Sequence, residues 1–169
     1  MAPGEGPLVI TYRVNAGSLP ESHWYRDRRH GGRLIGEGCH FVDTCAAIVG
    51  ETASSVQAVR SGGRESLLDD DFVISLRYPD GSLASITYAS GGPPRVEKEH
   101  IEVLGRGRNA TIVDFRTTVL GGDRTTGRQD KGHVAAVRAF RRALHAGTTP
   151  SEGLQSMRTT LLAAEALSS

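Results

Sequence analysis

Residues 103–110, VLGRGRNA, decide between two folds for this chain. Their glycines match the spacing G-x-G-x-x-A, which cradles a dinucleotide pyrophosphate where a strand enters a helix in a βαβ unit. The residues that follow are Thr111, Ile112 and Val113, a β-branched run without helical periodicity. No βαβ unit can be built around such a run. The sequence therefore predicts the turn of a β-hairpin, with Gly and Asn at positive φ.

Short β-like runs lie on both sides of this turn. Residues 8–15 alternate apolar and mixed side chains and indicate a first strand. YPDGSL, at 78–83, has the composition of a second hairpin turn. The remaining predicted strands are 53–60, 72–78, 83–89, 97–104 and 110–120.

One predicted strand shows which side of the sheet is buried. We expect Phe72, Ile74, Leu76 and Tyr78 to pack under helices. The opposite, open face is expected to carry a mixed set of side chains, namely Val73, Ser75 and Arg77, with Ile86 and Tyr88 on the next strand. An open face of this kind is commonly covered by a second copy of the chain.

Helical patterns surround the strands. Residues 34–50 predict a helix that ends at Gly50, and TPSE at 149–152 resembles a capping box. Two apolar stripes in the last 40 residues are Val134, Val137, Phe140 and Leu144, and then Leu154, Met157, Leu161 and Ala164. The fold class predicted for residues 1–169 is one α+β domain with an open, mostly antiparallel β-sheet and helices packed on one face.

Composition narrows the possible partners and location. The net charge of +1 gives no reason to expect nucleic acid or an anionic membrane as a partner. No apolar stretch approaches the length of a membrane span, and no signal peptide is recognisable at the start of the sequence. Cys39 and Cys45 would lie on different faces of a helix, so free thiols and a cytoplasmic location are expected.

The first helix carries the residue types of a reactive site. Glu37, His40 and Asp43 follow one another at intervals of three, which aligns two carboxylates and an imidazole on one strip. This strip suits a general acid/base whose carboxylates orient the histidine and raise its pKa. The same strip also suits part of a metal site completed by His23 and His30. In a third interpretation, His40 packs in the core, and Asp43 caps a helix or forms a salt bridge.

The order of several motifs resembles a known family. RVNAGSLPESHWYRD, GGRLIGEGCHFVDTCAAIVG, EKEHIEVLGRGRNATIVDF and KGHVAAVRAF together resemble the C-terminal domain of the Gfo/Idh/MocA oxidoreductases, named after glucose–fructose oxidoreductase and inositol dehydrogenase. The resemblance implies a two-domain enzyme with NAD or NADP on an N-terminal Rossmann domain. Its second domain would supply the open sheet, the substrate pocket and the subunit interface. The chain resembles only that second domain, and its Rossmann domain is expected to be absent.

The resemblance also assigns roles to residues. His40 matches the catalytic histidine that takes the hydroxyl proton, and Glu37 is expected to assist it. Many members have an aspartate four residues before the histidine, where this sequence has Gly36, so the usual acid pair is in doubt. The catalytic lysine of the family belongs to the missing domain. The expected substrate-binding residues are Asn15, His23, Trp24 and Tyr25.

The sequence therefore predicts the substrate-binding and oligomerisation domain of an NAD(P)-dependent oxidoreductase. Its substrate would be a hydroxyl group of a sugar, a cyclitol or a nucleotide sugar. We expect the chain alone to be inactive, to bind no metal and no NAD(P), and to form a homo-oligomer through the open sheet face. A separate Rossmann-domain partner is possible on this hypothesis. The alternative is a non-enzymatic dimerisation or binding module that kept the fold without the cofactor domain.

Overall fold

A computed structural model describes residues 5–61, 71–148 and 152–168. Within these ranges the chain forms one eight-stranded sheet in the order β2-β3-β4-β1-β5-β6-β7-β8. The strands β1 and β4 are parallel, and every other neighbouring pair is antiparallel. The strand bounds are β1 Leu8–Asn15, β2 Ser55–Arg60, β3 Phe72–Arg77, β4 Leu83–Ala89, β5 Glu99–Gly105, β6 Arg108–Val113, β7 Thr117–Leu120 and β8 Asp123–Thr126.

The helices confirm the predicted first helix and refine its start. Leu34–Gly38 form a π-helical turn that runs directly into α1, Cys39–Val49. Gly50 ends α1 with a φ of 88°, a left-handed conformation that glycine adopts without steric cost. The helix α2 spans His133–Ala146, and α3 spans Glu152–Ser168. Among the helices in the described ranges, none combines the length and apolar composition needed to cross a lipid bilayer.

The core lies between one face of the sheet and the helices α1 and α3. Alternate residues of β1 and β3 point into it, as the period of two requires. The predicted fold class, an open and mostly antiparallel α+β sheet, is confirmed. The buried apolar side chains are Leu8, Ile10, Tyr12, Val14, Leu34, Phe41, Val42, Cys45, Phe72, Ile74, Leu76, Tyr78, Ala84, Ile86, Tyr88, Ile101, Ala163 and Leu167.

The expectation that Ile86 and Tyr88 face outward is wrong. The β3–β4 register places Ile86 opposite Ile74 and Tyr88 opposite Phe72. Residues directly opposite each other in an antiparallel pair share a face of the sheet, so both side chains are buried. The open face carries a different apolar row, in which Leu83 and Leu104 flank Val9. These three side chains are 49%, 47% and 52% exposed, respectively.

The turn at VLGRGRNA is a hairpin, as predicted. Gly105 pairs with Arg108, and the two residues between them have positive φ, 54° at Arg106 and 69° at Gly107. The expectation that Asn contributes positive φ is wrong, because Asn109 pairs with Leu104 within β6. A glycine in the second position of such a turn relieves its strain.

The predicted single strand over 110–120 is also wrong. The chain turns at Asp114 and Phe115, which have φ of 50° and 52°, and then continues as β7. The short strand β8 was not predicted, because its sequence, DRTT, is polar and all four residues are exposed. The segment before α2 returns to the turn at Asp114 and Phe115, where Asp130 N donates to Phe115 O at 3.1 Å.

The large side chains of the two apolar helical stripes do not face the core, whereas Ala164 packs against it. On α2, Val134, Val137, Phe140 and Leu144 are 59–69% exposed. The helix α3 packs mainly through small and polar residues. Its buried residues are Ser156, Thr159, Thr160, Ala163 and Leu167. The predicted capping box at 149–152 lies largely outside the described residues.

Candidate active site

A cavity of about 220 Å³ opens where α1 crosses the centre of the sheet. The π-helical turn supplies Glu37 to its wall, and α1 supplies His40. A π-helical turn inside a helix is rare and frequently marks a functional site. The other elements that contribute are β1, β5, the β6–β7 turn and the segment that enters α2. The lining residues are Tyr12, Glu37, His40, Phe41, Asp43, Thr44, Glu99, Phe115, Lys131 and His133.

His40 is an exposed side chain on the wall of this cavity. The interpretation that His40 packs in the core is therefore wrong. Within the described ranges, no hydrogen bond or ion pair engages its imidazole. The position of His40 is fixed by α1, in which Thr44 Oγ1 donates to the His40 carbonyl at 2.7 Å. His40 thus faces the cavity without a side-chain partner among the described residues.

Glu37 is tied to other side chains rather than to His40. Its Oε1 accepts from Lys98 Nζ, and its Oε2 accepts from the Tyr88 hydroxyl at 2.7 Å. Arg33, almost wholly buried, donates to that hydroxyl at 3.0 Å. Burial alone would raise the pKa of Glu37, but the hydrogen bonds from Lys98 and Tyr88 outweigh it and lower the pKa. Glu37 is therefore an ionised carboxylate held in place.

Asp43 has a structural partner. Its Oδ1 accepts from Ser156 Oγ at 2.6 Å, which joins α1 to α3. Of the three residues aligned at 37, 40 and 43, only His40 lacks such a partner among the described residues. The three residues do form a row on the helix. The two carboxylates, however, form hydrogen bonds with other side chains and not with His40.

The ring of Tyr25 explains the glycine at position 36. A Cβ atom built on Gly36 would lie 2.3 Å from Tyr25 Cε1, far inside van der Waals contact. The Tyr25 hydroxyl also donates to the Gly36 carbonyl at 2.9 Å. An aspartate, as the resemblance leads one to expect here, would collide with this ring. Tyr25 thus lies against the helix one turn before His40.

His23, Trp24 and Tyr25 form an aromatic cluster beside that turn. The Trp24 and Tyr25 ring centroids are 4.1 Å apart, and those of His23 and Tyr25 are 4.9 Å apart. His30 Nε2 lies 3.8 Å from Asp27 Oδ2, at the edge of the same loop. None of the aromatic side chains of this cluster is among the described residues that line the cavity. In the described part of the chain, no group of three or more His, Cys, Asp or Glu side chains could hold a metal ion.

Asn15 lies in a separate, shallower groove. Its Nδ2 donates to the carbonyls of Pro93 at 3.0 Å and Val96 at 3.2 Å, which holds the loop after β4. Lys98 also lines this groove and reaches across to Glu37. The structure therefore brings Glu37 and His40 to one cavity and leaves Asn15 and the aromatic cluster outside it.

Sequence reasoning missed the residues on the sheet side of the cavity. The Tyr12 hydroxyl donates to Glu99 Oε2 at 2.5 Å, and Lys131 Nζ donates to Glu99 Oε1. The chain has 18 arginines and only two lysines, and both lysines pair with cavity carboxylates. That skew was visible in the sequence, but nothing in the spacing of the two lysines linked them to Glu37 or Glu99.

One comparison with known proteins identifies a family, and another shows a shared fold. The model of the GFO/IDH/MocA C-terminal domain matches residues 7–111. No curated protein sequence matches the chain. A UDP-N-acetylglucosamine 3-dehydrogenase from Acidithiobacillus ferrooxidans has a similar structure, with a TM-score of 0.75 and 14% identity over 96% of this chain.

Two further solved structures have the same fold. The aldose-aldose oxidoreductase from Caulobacter crescentus gives a TM-score of 0.73 at 18% identity, over 95% of this chain. Levoglucosan dehydrogenase gives 0.72 at 18% identity, over 98%. The chain covers 54%, 53% and 58% of the three proteins, respectively, so it spans about half of their length.

Proposed function

Because the chain belongs to the GFO/IDH/MocA family through its C-terminal domain, we propose that it is the substrate-binding and oligomerisation part of an NAD(P)-dependent oxidoreductase. The proposed substrate is a hydroxyl group of a sugar, a cyclitol or a nucleotide sugar. The structural neighbours, two dehydrogenases and an oxidoreductase named for sugar substrates, support this class. The observation that carries the proposal is His40, an exposed histidine that lines a cavity together with polar side chains.

His40 takes the proton of the substrate hydroxyl, and NAD or NADP held by a Rossmann domain would accept the hydride from the hydroxyl-bearing carbon, which becomes a carbonyl. An imidazole can accept and release a proton at neutral pH, which suits a reversible reaction. Glu37 does not share this proton, because its two oxygens are engaged by Lys98 and Tyr88. Its role is to keep a fixed negative charge near His40 and to maintain the shape of the cavity wall there.

The residues described here do not fit a dinucleotide. The G-x-G-x-x-A match is the β5–β6 hairpin, and no helix follows it to receive a pyrophosphate. We therefore assign NAD or NADP to a separate Rossmann domain, joined to this chain or supplied by a partner. What this chain contributes is the substrate cavity and the proton acceptor.

The open face of the sheet is the proposed surface for self-association. Leu83, Val9 and Leu104 form a row across three adjacent strands, and about half of each side chain is exposed. Polar residues flank the row, Thr11 and Ser85 among them. An apolar row with polar flanks is typical of an interface between subunits. A second copy of the chain is the proposed occupant.

One observation favours a second candidate, a non-enzymatic dimerisation or binding module. The position of the expected acidic partner of His40 is Gly36, and the Tyr25 ring fills the space an aspartate would need. Such a module would keep the sheet and its interface, and its His40 would have no role in turnover.

Turnover with an added Rossmann domain separates the two candidates. The chain, joined to an NAD(P)-binding Rossmann domain, is assayed for reduction of the cofactor with myo-inositol, D-glucose and UDP-N-acetylglucosamine. We expect turnover of at least one of them, and a loss of about 10²–10⁴-fold in His40→Ala. His145→Ala, which changes an exposed histidine of α2 outside the cavity, is the matched control. Oxidation of none of the three would favour the binding module, whereas normal turnover in His40→Ala would show that His40 is not the proton acceptor.

A further inference from the structure

The β6–β7 turn holds Phe115 in a costly backbone conformation. Asp114 and Phe115 have φ of 50° and 52°, in the left-handed region that residues other than glycine, Asn and Asp seldom adopt. Two hydrogen bonds hold this turn against β5. Asp114 N donates to the Glu99 carbonyl at 2.8 Å, and Glu99 N donates to Asp114 Oδ1 at 2.9 Å. Strain maintained in this way is typical of sites that position a functional group.

The group positioned by this turn is the ammonium of Lys131. The Phe115 ring centroid lies 5.7 Å from Lys131 Nζ, within the range of a cation–π contact. Glu99 Oε1 accepts a hydrogen bond from the same ammonium. Because Glu99 Oε2 accepts from the Tyr12 hydroxyl, both carboxylate oxygens are occupied and the carboxylate is fixed. Burial and the neighbouring Glu99 raise the pKa of Tyr12, so its hydroxyl remains a donor.

Lys131 keeps hydrogen-bond donors for a ligand. Its side chain is 34% exposed, and the described hydrogen bonds engage one of the three protons of its ammonium. Lys131 and His40 line the same cavity. A molecule there can receive a hydrogen bond from Lys131 at one oxygen while a second oxygen contacts His40.

The charges around the cavity favour a neutral ligand oxygen over a carboxylate or phosphate oxygen. The lining includes the carboxylates of Glu37, Asp43 and Glu99 and a single ammonium, that of Lys131. Lys98, outside the lining, pairs with Glu37, and Lys131 pairs with Glu99. Asp43 accepts from the neutral Ser156 hydroxyl, so its negative charge is not offset by these lysines and would repel a ligand carboxylate or phosphate. The cavity volume of about 220 Å³ is below the range usual for drug-sized ligands. The cavity therefore suits a smaller molecule.

We propose that Lys131 is a substrate-binding residue that donates to a hydroxyl oxygen of an uncharged polyol and so places another hydroxyl at His40. This inference rests on the proposed function and narrows it. The part of the substrate inside the cavity is a neutral ring, and any phosphate or carboxylate of a larger substrate lies outside. Glu99, Phe115 and the strained turn act through Lys131, by fixing the direction of its donors.

Binding of defined small molecules to the full chain tests this. The ¹⁵N-labelled protein is titrated with myo-inositol, D-glucose, D-glucuronate and glucose 6-phosphate, and the resonances of His40, Lys131 and His133 are followed. We expect both neutral polyols to shift these resonances and both anions to bind more weakly. Lys131→Met should weaken binding of the neutral polyols by roughly 10–100-fold, the usual effect of losing a hydrogen bond from a charged donor.

Two further variants keep the result interpretable. Lys131→Met leaves the buried Glu99 without its ammonium, so Lys131→Met with Glu99→Gln is measured as well, and it should show the same loss with a folded spectrum. Arg128→Gln removes a positive charge from the same segment outside the cavity and should bind like the original protein. If Lys131 had only a structural role, Lys131→Met would affect the binding of neutral and anionic ligands alike.

The outcomes distinguish the two proposals. If the neutral polyols bind at His40 but Lys131→Met and the double variant bind them normally, the role of Lys131 is overturned while the proposed function stands. If D-glucuronate or glucose 6-phosphate binds more tightly than its neutral counterpart, the selection of an uncharged ring is overturned. If none of the four molecules shifts the cavity resonances, the proposal for Lys131 is overturned, and the turnover assay with the added Rossmann domain decides the proposed function separately.

Discussion

The two ends of the sheet differ in how they are covered. At one end, α3 packs over β2, and the inward residues of β3 and β4, such as Ile74 and Ile86, have a relative exposure of 0%. At the other end, β8 is exposed along its whole length, and Leu120 of β7 is 55% exposed. The covered end supplies the apolar burial on which the stability of a domain depends.

The cavity lies between these two ends, and each end contributes to it differently. The covered end fixes α1, and therefore the position of His40, against the packed core. The outer strands bury little, but their turn at Asp114 and Phe115 brings Lys131 to the opposite wall. The comparison shows that strands which bury little apolar surface can still position a residue of the cavity.

The largest loss of stability is expected from truncating a core side chain at the covered end of the sheet. Ile86→Ala should lower the free energy of unfolding by about 2–5 kcal/mol, because it removes a fully buried side chain and leaves a cavity. Leu120→Ala, at the outer end, should change it by less than about 0.5 kcal/mol. Urea denaturation followed by circular dichroism measures both. Equal losses in the two variants would show that the outer end is covered in solution.

A smaller loss is expected from filling the space at Gly36. Gly36→Asp should lower the free energy of unfolding by about 1–3 kcal/mol, because its Cβ would collide with the Tyr25 ring. Gly91→Asp is the matched control, since nothing lies within 4 Å of a Cβ at that position. Adding Tyr25→Ala to Gly36→Asp should recover part of the loss. A Gly36→Asp protein as stable as Gly91→Asp would contradict the contact.

A charge on the open face tests the proposed self-association. Val9→Glu places a carboxylate between Leu83 and Leu104 and should weaken the association by roughly 10–100-fold, equivalent to about 1–3 kcal/mol. Leu120→Glu, at the outer end of the sheet, is the control. Sedimentation velocity over a range of concentrations gives the association constants. Weakening by Leu120→Glu alone would move the interface to the outer strands.

The smallest effect concerns the ion pair of Glu37. Lys98 and Tyr88 outweigh burial and lower the pKa of Glu37, so this carboxylate stabilises the fold above its unfolded pKa of about 4.3. That contribution should disappear as the pH falls through the lower pKa of the folded state. The advantage over Glu37→Gln should be below about 1 kcal/mol at neutral pH, because the Lys98 side chain is 44% exposed.

Unfolding of both proteins at several pH values between about 7 and 3 measures this difference. Glu102→Gln, which changes an exposed carboxylate on the open face of β5, is the matched control. An advantage of the original protein that grows on acidification would contradict the assigned direction.

The sequence by itself determined the features whose cause lies in neighbouring residues. The hairpin at Gly105 follows from turn chemistry, the end of α1 follows from Gly50, and the buried face of β1 follows from its alternation. The row of Glu37 and His40 on one helix strip also follows from spacing alone. Each of these is settled within a few residues of the chain.

Only the tertiary structure decided which partners those residues meet. Lys98 lies 61 residues from Glu37, and Lys131 lies 32 residues from Glu99, so no local pattern joins them. The faces of Ile86 and Tyr88 depend on the register between β3 and β4. The physical reason is the same in each case. Periodicity and turn chemistry act over one or two turns of the chain, whereas ion pairs, register and ring contacts depend on how distant segments are brought together.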